Sequence, residues 1–175
     1  MRRDRLGVLL AFLVILAPAA HAESFNTDFS TFPHWRYVLE HEHYTPAPAP
    51  FAGDLKSTLD RMHEKYRHIP YRTDVDVYGE RNHWATRQET RRHGAADCKG
   101  VAVAEMYDLL ELGVPDEDLS IIVAQVRQTG ELHAVTRARD WVLDIRATRV
   151  ITTEEFTQFY DPIFTINLIG WHRGM

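Results

Sequence analysis

The hydrophobic period of this 175-residue chain changes once, at Gly113. That switch constrains the fold more than any other feature. Before it, apolar residues recur at helical spacing. Leu55, Leu59, Met62, Tyr66 and Ile69 form one run, stopped by Pro70. Val103, Met106 and Leu110 line a stripe on a second predicted helix, residues 97–112. Gly113 is a natural helix end, and Pro115 lies just beyond it. After Gly113 the pattern is that of strands. Residues 119–126 are β-branched and aliphatic, Gln128-Thr129-Gly130 is a turn, and residues 131–138 can pair back. Arg139-Asp140 is a second turn, leading into a strand over 141–145. Residues 153–160 read as a short helix and 162–171 as a last strand. Residues 71–92 are mostly polar and read as loop. Helices first and an antiparallel sheet afterwards is the α+β pattern.

The first 22 residues stand apart from this pattern. Arg2, Arg3 and Arg5 precede an apolar run over residues 6–17, and Ala20-His21-Ala22 has the form of a small-x-small cleavage site. These are the marks of a secretory signal peptide, the run being short for a membrane span. The expected mature chain is one domain, residues 23–175, with no integral membrane segment after cleavage and a periplasmic location. Removing three Arg and one Asp takes the net charge from −5 to −7. Such an acidic chain is a poor partner for nucleic acid.

An exported chain with a single cysteine cannot use it for an internal disulfide. Cys98 is therefore a buried apolar residue, half of an intermolecular bridge, or a reactive thiol. Its position favours the last. Cys98 opens the predicted helix, where unpaired backbone N–H groups and the positive end of the helix dipole stabilise a thiolate. Lys99 adds a neighbouring positive charge. A thiolate catalyst also needs a proton-carrying histidine and a group to orient it. If Arg139-Asp140 closes a two-residue hairpin, facing residues have numbers that sum to 279. Val135 then faces Asp144, and His133 faces Arg146, so that His133 and Asp144 are diagonal neighbours on one sheet face. His41-Glu42-His43 offers a competing metal site if it is a strand, although spacing supplies no third ligand. No phosphate-cradling glycine loop and no nucleophilic-serine elbow is present.

Taken in order, several pieces of the chain resemble the bacterial transglutaminase-like cysteine peptidases. They are Trp84-Ala85-Thr86 with Glu89 close behind, Ala96-Asp97-Cys98, Leu112-Gly113-Val114-Pro115, His133-Ala134-Val135, Val142-Leu143-Asp144, and residues 162–167. The resemblance implies a papain-like, transglutaminase-type α+β core, with the nucleophile helix packed on an antiparallel sheet. It also implies Cys98 as nucleophile, His133 as general base and acid, and Asp144 as the residue orienting His133. Ala96 stands where the family usually has Gly, and Lys99 and Gly100 stand where it has two acids. Asp97 is then the only acid left of a cluster that would hold calcium, so no metal and no cofactor is expected.

These readings converge on an exported cysteine endopeptidase acting on a protein substrate, with a surface adhesin and a membrane-associated regulator as the partners the resemblance suggests. Backbone N–H groups at the start of the Cys98 helix would form the oxyanion hole, with Trp84 and Asp97 as further oxyanion or substrate contacts. Transglutaminase-type acyl transfer to an amine, and a non-catalytic binding domain on the same fold, are the alternatives.

Overall fold

The computed structural model of the chain describes residues 25–175. The leader expected at residues 1–22 lies outside them. Each helix begins at a residue able to start one. Pro33 occupies the first turn of α1 (Pro33–His41), which buries Trp35 and Val38. The Asp54 side chain accepts a hydrogen bond from Ser57 N and caps α2 (Leu55–Tyr66), which carries Leu55, Leu59, Met62 and Tyr66 of the expected stripe and ends before Ile69. Thr73 caps α3 (Asp74–Tyr78), and Asp97 caps α5 (Cys98–Glu111). Reciprocal capping boxes start α4 (Arg87–His93, from Thr86 and Glu89) and α6 (Thr153–Phe159, from Thr152 and Glu155).

Among the described residues six strands form one antiparallel sheet: β1 (Leu119–Val126), β2 (Leu132–Ala138), β3 (Trp141–Leu143), β4 (Ile151–Thr152), β5 (Tyr160–Ile166) and β6 (Trp171–Arg173). Their order across the sheet is β4-β3-β2-β1-β5-β6. Helix α5 packs on β1 and β2, with α2 and α4 against it. From Cys98 to Leu110 every residue except Lys99 is buried. The sequence predicts a single apolar stripe, but the helix is covered all round, and its buried acids Glu105 and Asp108 are hydrogen-bonded. Ile121, Val123 and Ala134 share the core with α5. Ile122, Ala124, Val135 and Val142 form a second cluster with Phe156 and Tyr160. Phe156 is fully buried and anchors α6 to this cluster, so its truncation to Ala would cost about 3–5 kcal/mol.

The structure departs from the sequence reading elsewhere as well. Residues 71–92 carry two short helices, α3 and α4, rather than loop alone. They are only 5 and 7 residues long, too short for apolar periodicity to appear. Residues 162–171 are not one strand, because the Asn167 side chain accepts from Ile169 N and Gly170 N, both at 2.9 Å, and turns the chain into β6. The expected hairpin register holds at Ala138↔Trp141, Arg137↔Val142 and Thr136↔Leu143. The ladder then stops. Asp144 O accepts from Ala147 N at 2.8 Å, so Asp144 begins a turn and the pairs expected at Val135 and His133 do not form.

Candidate active site

Cys98 is the first residue of α5. Asp97 Oδ1 accepts from Lys99 N at 3.0 Å and Gly100 N at 3.1 Å, which fixes the helix start around the thiol. Upstream, Ala96 is bridged to Tyr71, with Arg72 N donating to Ala96 O at 3.1 Å. A Cβ on Gly100 would lie 3.0 Å from Ala96 Cβ and 3.2 Å from Thr90 Oγ1. Glycine there lets α4 approach the first turn of the nucleophile helix.

The Lys99 side chain is held to the same first turn. Its ammonium pairs with Asp97 Oδ2 and lies 2.9 Å from Asp74 Oδ2 at the start of α3. Burial works against the Lys99 cation, but the two carboxylates outweigh it and raise its proton affinity.

His133, near the start of β2, and Asp144, just past β3, meet despite the lost ladder pairs. His133 Nε2 donates to Asp144 Oδ1 at 2.7 Å, and both side chains are buried. Asp144 Oδ1 also accepts from Arg146 N at 2.9 Å, and Oδ2 accepts from Tyr160 Oη at 2.7 Å. Burial would raise the Asp144 pKa, but these donors hold it below the ordinary carboxylate value. Nδ1 of His133 is buried without a hydrogen bond of ordinary geometry. Burial also opposes the His133 cation. The bond to Asp144 and the nearby Cys98 thiol outweigh that and push the imidazole up to about 9.

Cys98 and His133 line one cleft of about 440 Å³. Its other walls include Phe32, Asn82, Trp84, Leu132 and Phe164. Trp84 is buried edge-on against Trp35, with ring centroids 5.7 Å apart. Asp97 does not line the cleft, since its carboxylate is taken up by the helix start and Lys99. The competing His41-Glu42-His43 site does not form. His41 ends α1 with Nδ1 on Tyr37 O, and Glu42 turns inward to accept from Arg87 N at 2.6 Å. No group of three or more metal-ligating side chains occurs among the described residues. Asn82, Asp74 and Tyr160 were not visible as site residues in the sequence. Of these, Tyr160 carried no local signal, because 16 residues and an intervening helix separate it from Asp144.

Residues 42–160 match the family model described as bacterial transglutaminase-like cysteine proteinase. The chain belongs to this family. It is a cysteine peptidase with a transglutaminase-like fold, as the resemblance implied. Among solved structures it is similar to calcium-bound Legionella pneumophila LapG, with TM-score 0.62 and 20% identity over 71% of this chain and 74% of that one. A second Legionella pneumophila LapG structure gives TM-score 0.63 at 20% identity, covering 70% of each chain. An EGTA-treated form gives 0.64 at 19%, covering 71% and 69%. At these identities the likeness is one of fold. A search of curated protein sequences returns no significant match.

Proposed function

We propose that this peptidase is an exported endopeptidase that cleaves a periplasmic or surface protein through Cys98, His133 and Asp144, after loss of residues 1–22. The observation that carries this reading is the setting of His133. Its Nε2 is bound to Asp144, while the ring interacts with the Cys98 thiol in the cleft that both residues line. In the reaction His133 takes the thiol proton and the thiolate attacks the peptide carbonyl carbon. The tetrahedral oxyanion collapses as His133 protonates the leaving amine. Water, deprotonated by His133, then releases the acyl group from sulfur. Asp97 engages the N–H groups of Lys99, Gly100 and Val101, so the Cys98 N–H is the helix-start donor for the developing oxyanion, with Trp84 on the cleft wall.

One similar structure is described as calcium-bound. Calcium takes 6–8 oxygen ligands. Beside Cys98 those oxygens are already engaged: Asp97 Oδ1 by two backbone N–H groups, and Asp97 Oδ2 and Asp74 Oδ2 by the Lys99 ammonium. A calcium ion does not fit there, and catalysis without it is part of the proposal. A surface adhesin as substrate and a membrane-associated regulator follow from the resemblance alone.

The test is mass spectrometry of exported proteins from cells carrying wild-type protein or Cys98→Ala. New termini that depend on Cys98 support the endopeptidase. New isopeptide crosslinks would instead mark acyl transfer, and neither product would mark a binding domain.

A further inference from the structure

The Asp144 carboxylate is met by three donors, and Tyr160 alone approaches its outer oxygen, Oδ2, at 2.7 Å among the described residues. Tyr160 stands where α6 passes into β5, pinned opposite Val126 of β1. Its ring lies 22° from the plane of the His133 ring, with centroids 5.6 Å apart, and also stacks on Phe156 at 4.5 Å. Tyr160 therefore touches both members of the His133–Asp144 pair. We propose that Tyr160 is a positioning residue of this peptidase, which fixes the Asp144 carboxylate and draws off part of its charge so that His133 can still release its proton. The inference rests on the roles proposed above for Cys98, His133 and Asp144.

The physical reason is the low dielectric of the site. A buried carboxylate bound only to the imidazolium would hold that cation strongly, and a general acid works best when its affinity for the proton is near the working pH. A phenol donating to the far oxygen weakens that hold without breaking the His133 bond. It also prevents rotation of the carboxylate away from Nε2. Burial, and then the Asp144 carboxylate, push the Tyr160 phenol far above its usual range, so it remains a donor. The other titratable groups around the pair are Cys98 and Glu105 on α5, His63 on α2 and Arg146 after β3.

Tyr160→Phe removes the donor and keeps the stacked ring. The readout is an NMR titration of the His133 ring in the full mature chain, with melting temperature as the control for folding. The midpoint should move up by about 0.5–1 pH unit, about half the scale of one hydrogen bond to a charged group, because Tyr160 acts on His133 through Asp144. Placing 3-fluorotyrosine at position 160, a stronger donor, should move it down. A midpoint that does not follow donor strength, with only the melting temperature changed, would reduce Tyr160 to a structural residue and overturn the proposal. A parallel measurement separates this from failure of the catalytic reading. Iodoacetamide reacts with Cys98, the chain's single cysteine, and His133→Ala should slow it at least tenfold. Reactivity indifferent to His133 would overturn both. Reactivity that depends on His133, with a titration blind to Tyr160, would overturn only the role of Tyr160.

Discussion

His133 and Asp144 are joined through Nε2 at 2.7 Å, across 11 residues of sequence. This fixes which face of the imidazole serves the thiol. With Nε2 committed to Asp144, proton exchange with Cys98 falls to Nδ1. Turning the ring to present the other nitrogen would break the Nε2 bond and leave the buried carboxylate with Arg146 N and Tyr160 Oη, and no charged partner in that bond's place.

Cys98→Ala should abolish proteolysis, by on the order of 10⁴-fold or more. No other cysteine exists to replace it. The check is cleavage of an identified substrate, with circular dichroism to verify folding. Turnover near wild type in the alanine variant would end the thiol mechanism.

Asp144→Asn should be milder than Asp144→Ala. The amide oxygen can accept from His133 Nε2 and Arg146 N, as Oδ1 does now. The amide nitrogen can donate to Tyr160 Oη, which rotates to accept. Alanine leaves all three groups without a partner. Equal losses of kcat in the two variants would mean that charge, not hydrogen bonding, is what Asp144 supplies.

His133 gives the protein a pH signature. Its imidazole is pushed up to about 9 in the folded state, against about 6.5 unfolded. The native state therefore binds the proton more tightly, and the added stability is fully present below pH 6.5. It is lost as pH rises through 9, to an extent on the order of 3 kcal/mol. Denaturant midpoints from pH 6 to 10 should fall over that window in wild type and much less in Asp144→Asn. The acylation rate should also fall near pH 9, where His133 loses its proton.

Glu105 acts in the same direction from another place. Burial pushes its carboxyl well above the ordinary value, which favours the neutral form in the folded protein. The Thr136 hydroxyl lies 3.1 Å from Ala102 O and 2.7 Å from Glu105 Oε2. One hydroxyl proton cannot serve both, whereas a protonated Glu105 donating to Oγ1 frees the hydroxyl to donate to Ala102 O. The native state holds this proton and the unfolded chain does not, so stability falls as pH rises above about 4.5. Glu105→Gln should be more stable than wild type at pH 8, with the gap closing below pH 4.5. No gain at pH 8 would show that Glu105 is not held neutral.

EGTA should change neither melting temperature nor activity, because the carboxylates beside Cys98 already face an ammonium. Lys99→Met should destabilise by less than the roughly 3–5 kcal/mol of a fully buried broken pair, since the Lys99 side chain is 18% exposed. Loss of activity in EGTA, restored by calcium but not magnesium, would show that other ligands rebuild a calcium site.

What could be read from the sequence was what local chemistry writes into it. The period change at Gly113 announced the layered fold, and the turn at Arg139-Asp140 set a register that holds as far as Thr136↔Leu143, leaving Asp144 to reach His133 from a turn just past the ladder. Cys98 was legible because a helix start has its own residue pattern. The short helix α4 was also written locally, in the Thr86–Glu89 capping box, but lacked the apolar period used to find helices. Tyr160 and Asp74 were of another kind. Each reaches the site through tertiary packing, Tyr160 across the sheet and Asp74 from a five-residue helix, and no spacing rule connects them to Cys98 or Asp144.

The ammonium between Asp74 and Asp97 belongs to the chain that it stabilises. A cation bound from solution comes and goes with its bulk concentration, whereas a tethered group meets its partners at an effective concentration set by the length of its stem. Dilution, dialysis or a change of medium leaves that occupancy unaltered. The start of the nucleophile helix is thus insulated from the ionic supply outside the protein, and a change in that supply has no handle on Cys98 at this position.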